Sequence, residues 1–332
     1  MGERALSVVQ YGKETVHGTE VDATKILQGA EVVVPKDRSP QYPQENLGLR
    51  ARSMRSVIYQ IHADNIPLRV EHGYFQCLPF LFGAGVKGGV TASEQTQSQS
   101  DYLWAFAPSL SAANNPDSFT LESGDNVQEY TMEYCLCKRI RVSGRLGANE
   151  PVSIEADFFG KQVTPKAKTA ALSLSAVEPM IANLSEFYLD TTWAGIGGTK
   201  KSNLLREFGI EILTGVHPKF HGEGKTMTGD AESWFEVMGN FVFEGNSDAD
   251  AIFDAYQAQT EQAIRLKIYG SQIGSGDTHS LIIDMWGTWE EVIALGNQSE
   301  GNNLHTALFH AYYDRTGAAL FDVNVTTDSN AY

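Results

Sequence analysis

The chain has 332 residues, 42% of them hydrophobic and 10% aromatic, and a net charge of −16. That length exceeds an ordinary single domain, so two domains are expected, and the apolar content suffices for two cores and excludes wholesale disorder. The charge is uneven, −4 over residues 1–165 and −12 over 166–332; such a surface repels phosphate and argues against tight DNA or RNA binding, though not against DNA sliding past.

The N-terminus, Met1 to Gln10, carries no continuous apolar run of signal-peptide length, and no segment approaches the length of a membrane span. Three cysteines, Cys77, Cys135 and Cys137, offer no disulfide framework. A soluble protein made in a cytoplasm is expected. After a polar arm at 11–20, Ala30–Val34 is strand-like, and a Pro-broken loop with Pro35, Pro40 and Pro43 runs to about Arg55. Ser56–His62 reads as a strand. His72–Phe82 reads as a short buried helix that Pro79 would kink or end. A Gly/Ser/Gln-rich stretch at 83–100 precedes a strand at Tyr102–Phe106. Glu129–Tyr134 and Arg139–Gly144 then lead through Gly147 into Val152–Phe159, the pattern of antiparallel strands.

Lys161–Thr169 is short and basic and reads as a linker. Beyond it the order recurs. Phe208–Leu213 is a strand, Thr214–Glu232 a turn-rich loop, and Trp234–Phe243 the next strand. Ser247-Asp-Ala-Asp250 caps a helix whose Ile252, Phe253 and Tyr256 share a face. Ile264, Leu266 and Ile268 alternate with Arg265 and Lys267 as a half-buried strand. Ser280–Met285 leads through Gly301 into Leu304–Tyr313, as in the first half. The halves share pattern rather than side chains, and a duplicated β unit points to stacking and assembly.

Several motifs invite chemistry. Gly83–Gly88 fits G-x-G-x-x-G, but no helical apolar spacing follows, so a flexible loop is expected. Gly195–Ser202 departs from a phosphate-binding loop at Thr199, and its lysines are expected to meet a neighbouring subunit. Pro218 separates His217 from His221, and His305 and His310 fall on opposite faces of a strand, so neither pair fits a metal site. Glu133, Glu155 and Asp157, or Asp284, Glu290 and Glu291, could supply the carboxylates for glycoside hydrolysis. Trp104, Trp193, Trp234, Trp286 and Trp289 could stack on sugars, although such residues are more often core or interface anchors. A two-domain β-sandwich that binds or cleaves carbohydrate is therefore the alternative function. No catalytic, cofactor or metal residue is assigned.

The arm at Tyr11–Thr19 with Asp22-Ala-Thr24 resembles that of tail tube proteins from phages with long non-contractile tails. Ser118–Asp125, continuing through Glu129 to Gly144, is similar to that family's central strands, as are Leu213–Pro218 and the Gly301-Asn302 turn. The likeness spans nearly the whole chain, in the family's two-domain form. It implies a mainly β fold of two tandem sandwich or barrel domains, at 1–165 and 166–332, each with one flanking α-helix. It further implies a structural virion protein rather than an enzyme, without cofactor, made in the host cytoplasm and ending in the tail. Such a subunit would form stacked, trimeric, pseudo-hexameric rings around a channel for genome ejection. Its partners would be itself, the tape measure and other tail proteins, and viral DNA that passes without specific binding, with no membrane involved. Expected lumen-facing residues are Glu155, Asp157, Asp284 and Asp314. The basic first loop, with Lys36, Arg38, Arg50, Arg52 and Arg55, is expected to touch the adjacent ring.

Overall fold

A computed structural model of the chain describes residues 3–43, 48, 50, 56–147, 150–222, 224–299 and 301–332. It is mainly β. The first half contains β1 (Val8–Lys13), β2 (Lys25–Leu27), β3 (Ala30–Val32), β4 (Ala63–Val70), α1 (Leu78–Gly85), β5 (Ser93–Glu94), β6 (Tyr102–Phe106), β7 (Phe119–Gly124), β8 (Glu129–Arg145), β9 (Ser153–Gly160) and β10 (Gln162–Pro165). The second contains β11 (Ser185–Asp190), β12 (Lys200–Lys201), β13 (Leu205–Leu213), β14 (His217–Lys219), β15 (Gly229–Ala231), β16 (Glu236–Glu244), α2 (Ser247–Gln257), β17 (Gln262–Gln272), β18 (Thr278–Ser299), β19 (Asn302–Ala311) and β20 (Phe321–Thr327). Among the described residues, no helix is long and apolar enough to cross a membrane.

The strand pairings repeat. In the first half β1 pairs with β2 and β7, β4 with β3 and β9, and β8 with β7, β9 and β10. In the second, β11 pairs with β12 and β17, β16 with β13 and β19, and β18 with β17, β19 and β20. All are antiparallel. Even the irregularities correspond: β8 bulges between Cys137 and Arg139 against β9, and β18 between Trp289 and Glu291 against β19. The hairpin β14–β15 belongs to the second half alone, and β5–β6 to the first. The duplication read from the sequence pattern is thus present in the hydrogen-bonded ladders.

The halves also join. The C-terminal part of β8 pairs with β13, which extends β3–β4–β9–β8 through β13–β16–β19–β18 into a continuous eight-stranded sheet. The N-terminal parts of β8 and β18 instead lie in two smaller sheets, and β20 reaches β6 of the first half. Both long strands therefore serve two sheets. One hydrophobic cluster includes residues of both halves.

The two helices are buried to different degrees. All eight residues of α1 are buried. Phe80 stacks on Tyr11 of β1 at 4.3 Å between ring centres and on Phe158 of β9 at 5.5 Å, and meets Phe119 of β7 edge-on at 4.8 Å. Such rings gain from offset or edge-on contact as well as from burial. In the second half Phe187 of β11 meets Phe241 and Phe243 of β16, and Trp289 packs on Phe309 at 5.0 Å. α2 is amphipathic. Asn246 caps it by accepting from the N–H groups of Asp248 and Ala249, one residue before the cap expected at Ser247, with Asp248 and Asp250 in the first turn as anticipated.

Several expectations shift. Pro79 stands in the first turn of α1, second after Leu78, instead of ending the helix, since a missing N–H costs nothing there. Ser56–His62 is not a strand: Val57 and Ile61 make isolated bridges, and β4 starts at Ala63. The basic linker carries β10, held by Lys161 to Glu133 at 3.2 Å and by ion pairs of Lys166 to Glu20 and Lys168 to Glu129. Gly83 and Gly85 lie in α1, not in a flexible loop. A Cβ on Gly83 would stand 2.8 Å from the Tyr332 ring, and one on Gly85 2.9 Å from the Cys137 carbonyl, so close packing accounts for both. Lys200 and Lys201 pair within the chain, with Glu186 at 2.6 Å and Asp248 at 2.8 Å.

One buried carboxylate ties the arm to the first half. Glu14 accepts from the Gly18 and Tyr134 N–H groups, both at 2.8 Å, and from the hydroxyls of Ser118 at 2.7 Å and Thr120 at 3.0 Å. Tyr134 there sits at φ +55°. Glu14→Ala strips four donors of their acceptor and should lower stability by about 3 kcal/mol, as read from urea unfolding monitored by tryptophan fluorescence.

Candidate assembly interface

The eight-stranded sheet has two unlike faces. Leu68, Ala156, Ile140, Ile212 and Val237 are successive cross-strand partners on the inner face, and all are buried. One residue along, the row on the outer face runs Glu31, Arg69, Glu155, Arg141, Glu211, Met238 and His310. Alternating charge on adjacent strands favours this register over a slip, because a shift by one residue would put those charges into the core.

The seam between β8 and β13 is built from these charges. Arg139 of β8 reaches Asp157 of β9 at 3.0 Å and Glu211 of β13 at 3.2 Å, with Glu155 at 3.8 Å. Arg145 holds Glu207 of β13 at 3.0 Å. The hydrogen bond to Glu211 raises the pKa of Arg139 against the opposing effect of burial. Three carboxylates thus share one guanidinium across the join of the two halves. Arg139→Ala leaves them without it and should cost about 2 kcal/mol, read as a lowered urea midpoint. A variant as stable as the parent would mean that the backbone ladder alone sets this seam.

Glu155 and Asp157 accordingly lie together on the outer face. Asp284 and Asp314 do not. Asp284 is 4% exposed in the N-terminal part of β18, where Arg265 grips both its oxygens at 2.7 Å. Asp314 is buried after β19 and accepts from the Thr316 N–H at 2.7 Å. Alternation showed which residues share a face of a strand, but not that β18 changes sheets, which is why Asp284 was grouped with the others. Sequence reasoning also passed over Arg139, Arg141, Glu207 and Glu211. Their strict alternation with Ile140, Val142, Phe208 and Ile210 was the available signal.

Lys36, Arg38 and Arg50 are exposed, and Arg52 and Arg55 lie outside the described residues. The segment between the first loop and β4 meets the second loop: the Ile61 N–H donates to the Lys225 carbonyl at 2.8 Å, and His62 packs on Phe220. The second loop folds back as the β14–β15 hairpin. Val216 and Met227 form a satellite cluster there with Tyr134, Leu136 and Phe159 of the first half, and Phe220 packs against it.

Other candidate groups are occupied or apart. Glu133 pairs with Lys161, and Glu290 with His310 at 2.7 Å. His305 is buried, while His217 and His221 are exposed. Among the described residues no group of three or more His, Cys, Asp or Glu could hold a metal ion. Trp104, Trp286 and Trp289 are buried, whereas Trp234 is 85% exposed. The chain matches no protein-family model and no curated protein.

Asp322 of β20 stands opposite Asp284 on β18. Burial first, and then Asp284, push its carboxyl from 3.8 up to about 6, with Lys87 opposing. The folded chain therefore holds this proton more tightly than the unfolded one, and the effect lowers stability as pH rises from about 4 to about 6. Asp322→Asn should raise the melting temperature at pH 7.5, with the gain shrinking toward pH 4 in a thermal-melt series.

Proposed function

We propose that this chain is a structural subunit that closes head to tail into rings, and that the rings stack as the tube of a long-tailed phage. The observation that carries the reading is the seam between β8 and β13. Each half has an edge of the β13 kind and an edge of the β8 kind. Within the chain one of each meets. Among the described residues the other two have no strand beside them: β3 pairs with β4 alone, and β18 from Thr288 onward with β19 alone. A chain with complementary free edges at opposite ends of one sheet adds copies of itself by strand addition, and heterologous contacts give rings when their rotation closes.

Three copies would supply 24 strands and, at the usual strand tilt of a closed sheet, a barrel on the order of 45–50 Å across at the backbone. With side chains allowed for, that leaves room for a DNA duplex. The outer face of the shared sheet would line it, so that Glu155, Asp157, Glu207, Glu211 and Glu236 outnumber the cations and keep phosphate from adhering. The exposed Lys36, Arg38 and Arg50 suit an acidic neighbour above or below. The purified protein, examined by negative-stain electron microscopy and native mass spectrometry, should give rings of three chains with apparent six-fold outline, and tubes at higher concentration. A strictly monomeric protein at all concentrations, or rings of six full-length chains, would sink this reading.

A further inference from the structure

We propose that residues 328–332 form a strap across the first half whose root is held or released by His279. Charged, the imidazole grips Asp328; neutral, it accepts from Gln76 instead and leaves Asp328 to solvent. The inference does not depend on the ring reading.

The strap begins where β20 ends, at Thr327, and crosses onto the first half. Trp104 Nε1 donates to the Ser329 carbonyl at 2.9 Å. Lys25 Nζ donates to the Ser329 hydroxyl at 2.8 Å and to the Ala331 carbonyl at 2.5 Å. Tyr332 then lies against Trp104 at 4.9 Å and Phe119 at 5.5 Å between ring centres, with Lys13 Nζ 4.5 Å above its own ring. A Cβ on Gly83 would stand 2.8 Å from that ring, so α1 is shaped to receive it.

Asp328 is the root, and His279 faces it from the start of β18. His279 is 6% exposed. Its Nδ1 lies 3.1 Å from the Ser271 carbonyl, so this nitrogen carries a proton in either charge state. Its Nε2 has two neighbours of opposite kind. Asp328 Oδ1, at 3.6 Å, is an acceptor, and the Gln76 amide nitrogen, at 3.4 Å, is a donor. Gln76 is fixed in that orientation because its Oε1 accepts from the Glu178 N–H at 2.9 Å. With Nε2 protonated, His279 and Gln76 both donate toward Asp328 Oδ1, Gln76 at 2.8 Å, and the Thr327 hydroxyl adds a third donor at 3.2 Å. Without that proton, the Nε2 lone pair repels the carboxylate and accepts from Gln76. The proton thus decides which of two neighbours the ring holds.

The other charged groups nearby are Glu178, whose Oε1 accepts from the Ser271 N–H at 2.7 Å, and Lys25, which lies on the far side of Asp328. The Phe75 ring, 5.8 Å away, closes the remaining side. Burial opposes the imidazolium, but Asp328, the Ser271 carbonyl and Glu178 outweigh it and raise the pKa of His279 above 6.5. The hydrogen bond to His279 first, and then that to Gln76, bring Asp328 down from 3.8 to about 2 against burial. The hold on the strap is therefore complete from about pH 4 to about pH 6.5, and is lost as pH rises through the raised value of His279.

The test follows hydrogen exchange of residues 328–332 in the full-length protein by mass spectrometry, from about pH 5.5 to about pH 9, corrected for the intrinsic rate at each pH. Protection should fall about five-fold in one step centred above about pH 6.5. His279→Gln, which stays uncharged, should show the lower protection throughout and no step. Asp328→Asn, at an exposed position, should also remove the step, and should lower the His279 midpoint in an NMR titration of the ring Cε1–H. Tyr332→Ala, at the far end of the strap, should reduce protection at every pH and leave the midpoint where it is. Protection of 328–332 that does not change with pH, or a step that persists in Asp328→Asn, would overturn the proposal.

Discussion

The architecture depends on β8 giving away backbone hydrogen bonds on both edges along its 17 residues. Its first part is sandwiched between β7 and β10 and its second between β9 and β13. A strand cannot change sheets while keeping a flat ladder, and the extra residue at Lys138 supplies the bend. Because β13 belongs to the other half, β8 also makes the chain one sheet. Side-chain packing then secures what the ladder specifies: Phe80 bridges the small sheet and the shared sheet in the first half, as Phe187 and Phe241 do in the second.

Much of this is legible in the sequence, and the failures have physical causes. Alternating segments such as Ile264–Ile268 and Arg139–Gly144 became strands because period two has one structural solution when a single face is buried. Val8–Lys13 offers no period-two signal, being buried at four successive residues, whereas Phe321, Val323 and Val325 do alternate with Asp322, Asn324 and Thr326, a signal present in the sequence but not used. The reading of Ser56–His62 as a strand followed β propensity, which says how well a residue suits a pleated surface and not whether a partner strand is at hand. The glycines of 83–88 were judged by the loops such residues often make, while here a ring and a carbonyl press on two of them.

The site was legible in part for a different reason. Which residues share a strand face can be counted, and Glu155 and Asp157 do share one face of β9. Which face of which sheet they reach depends on pairings far apart in sequence. Asp284 shows the difference: it follows the same alternation as its neighbours but lies in the part of β18 where Arg265 covers it. Likewise the lysines at 200–201 looked free to meet another molecule, and both are held at home.

The two halves have the same ladders but different chemistry at matching positions, and the proposed assembly gives this divergence a reason. A seam inside one chain forms without loss of translational freedom, so Arg139, Glu211, Arg145 and Glu207 need only select the register; ion pairs that are partly desolvated do that well while adding little net stability. A seam between copies must offset the cost of bringing separate molecules together, which apolar burial does and exposed charge does not. Val33 and Ile293 stand where the internal seam has Gly209 and Arg141, and Leu295 falls in the irregularity between Ile293 and Asn297. Under the proposed assembly, duplication supplies the geometry of both contacts, and the ion pairs of the internal one serve folding.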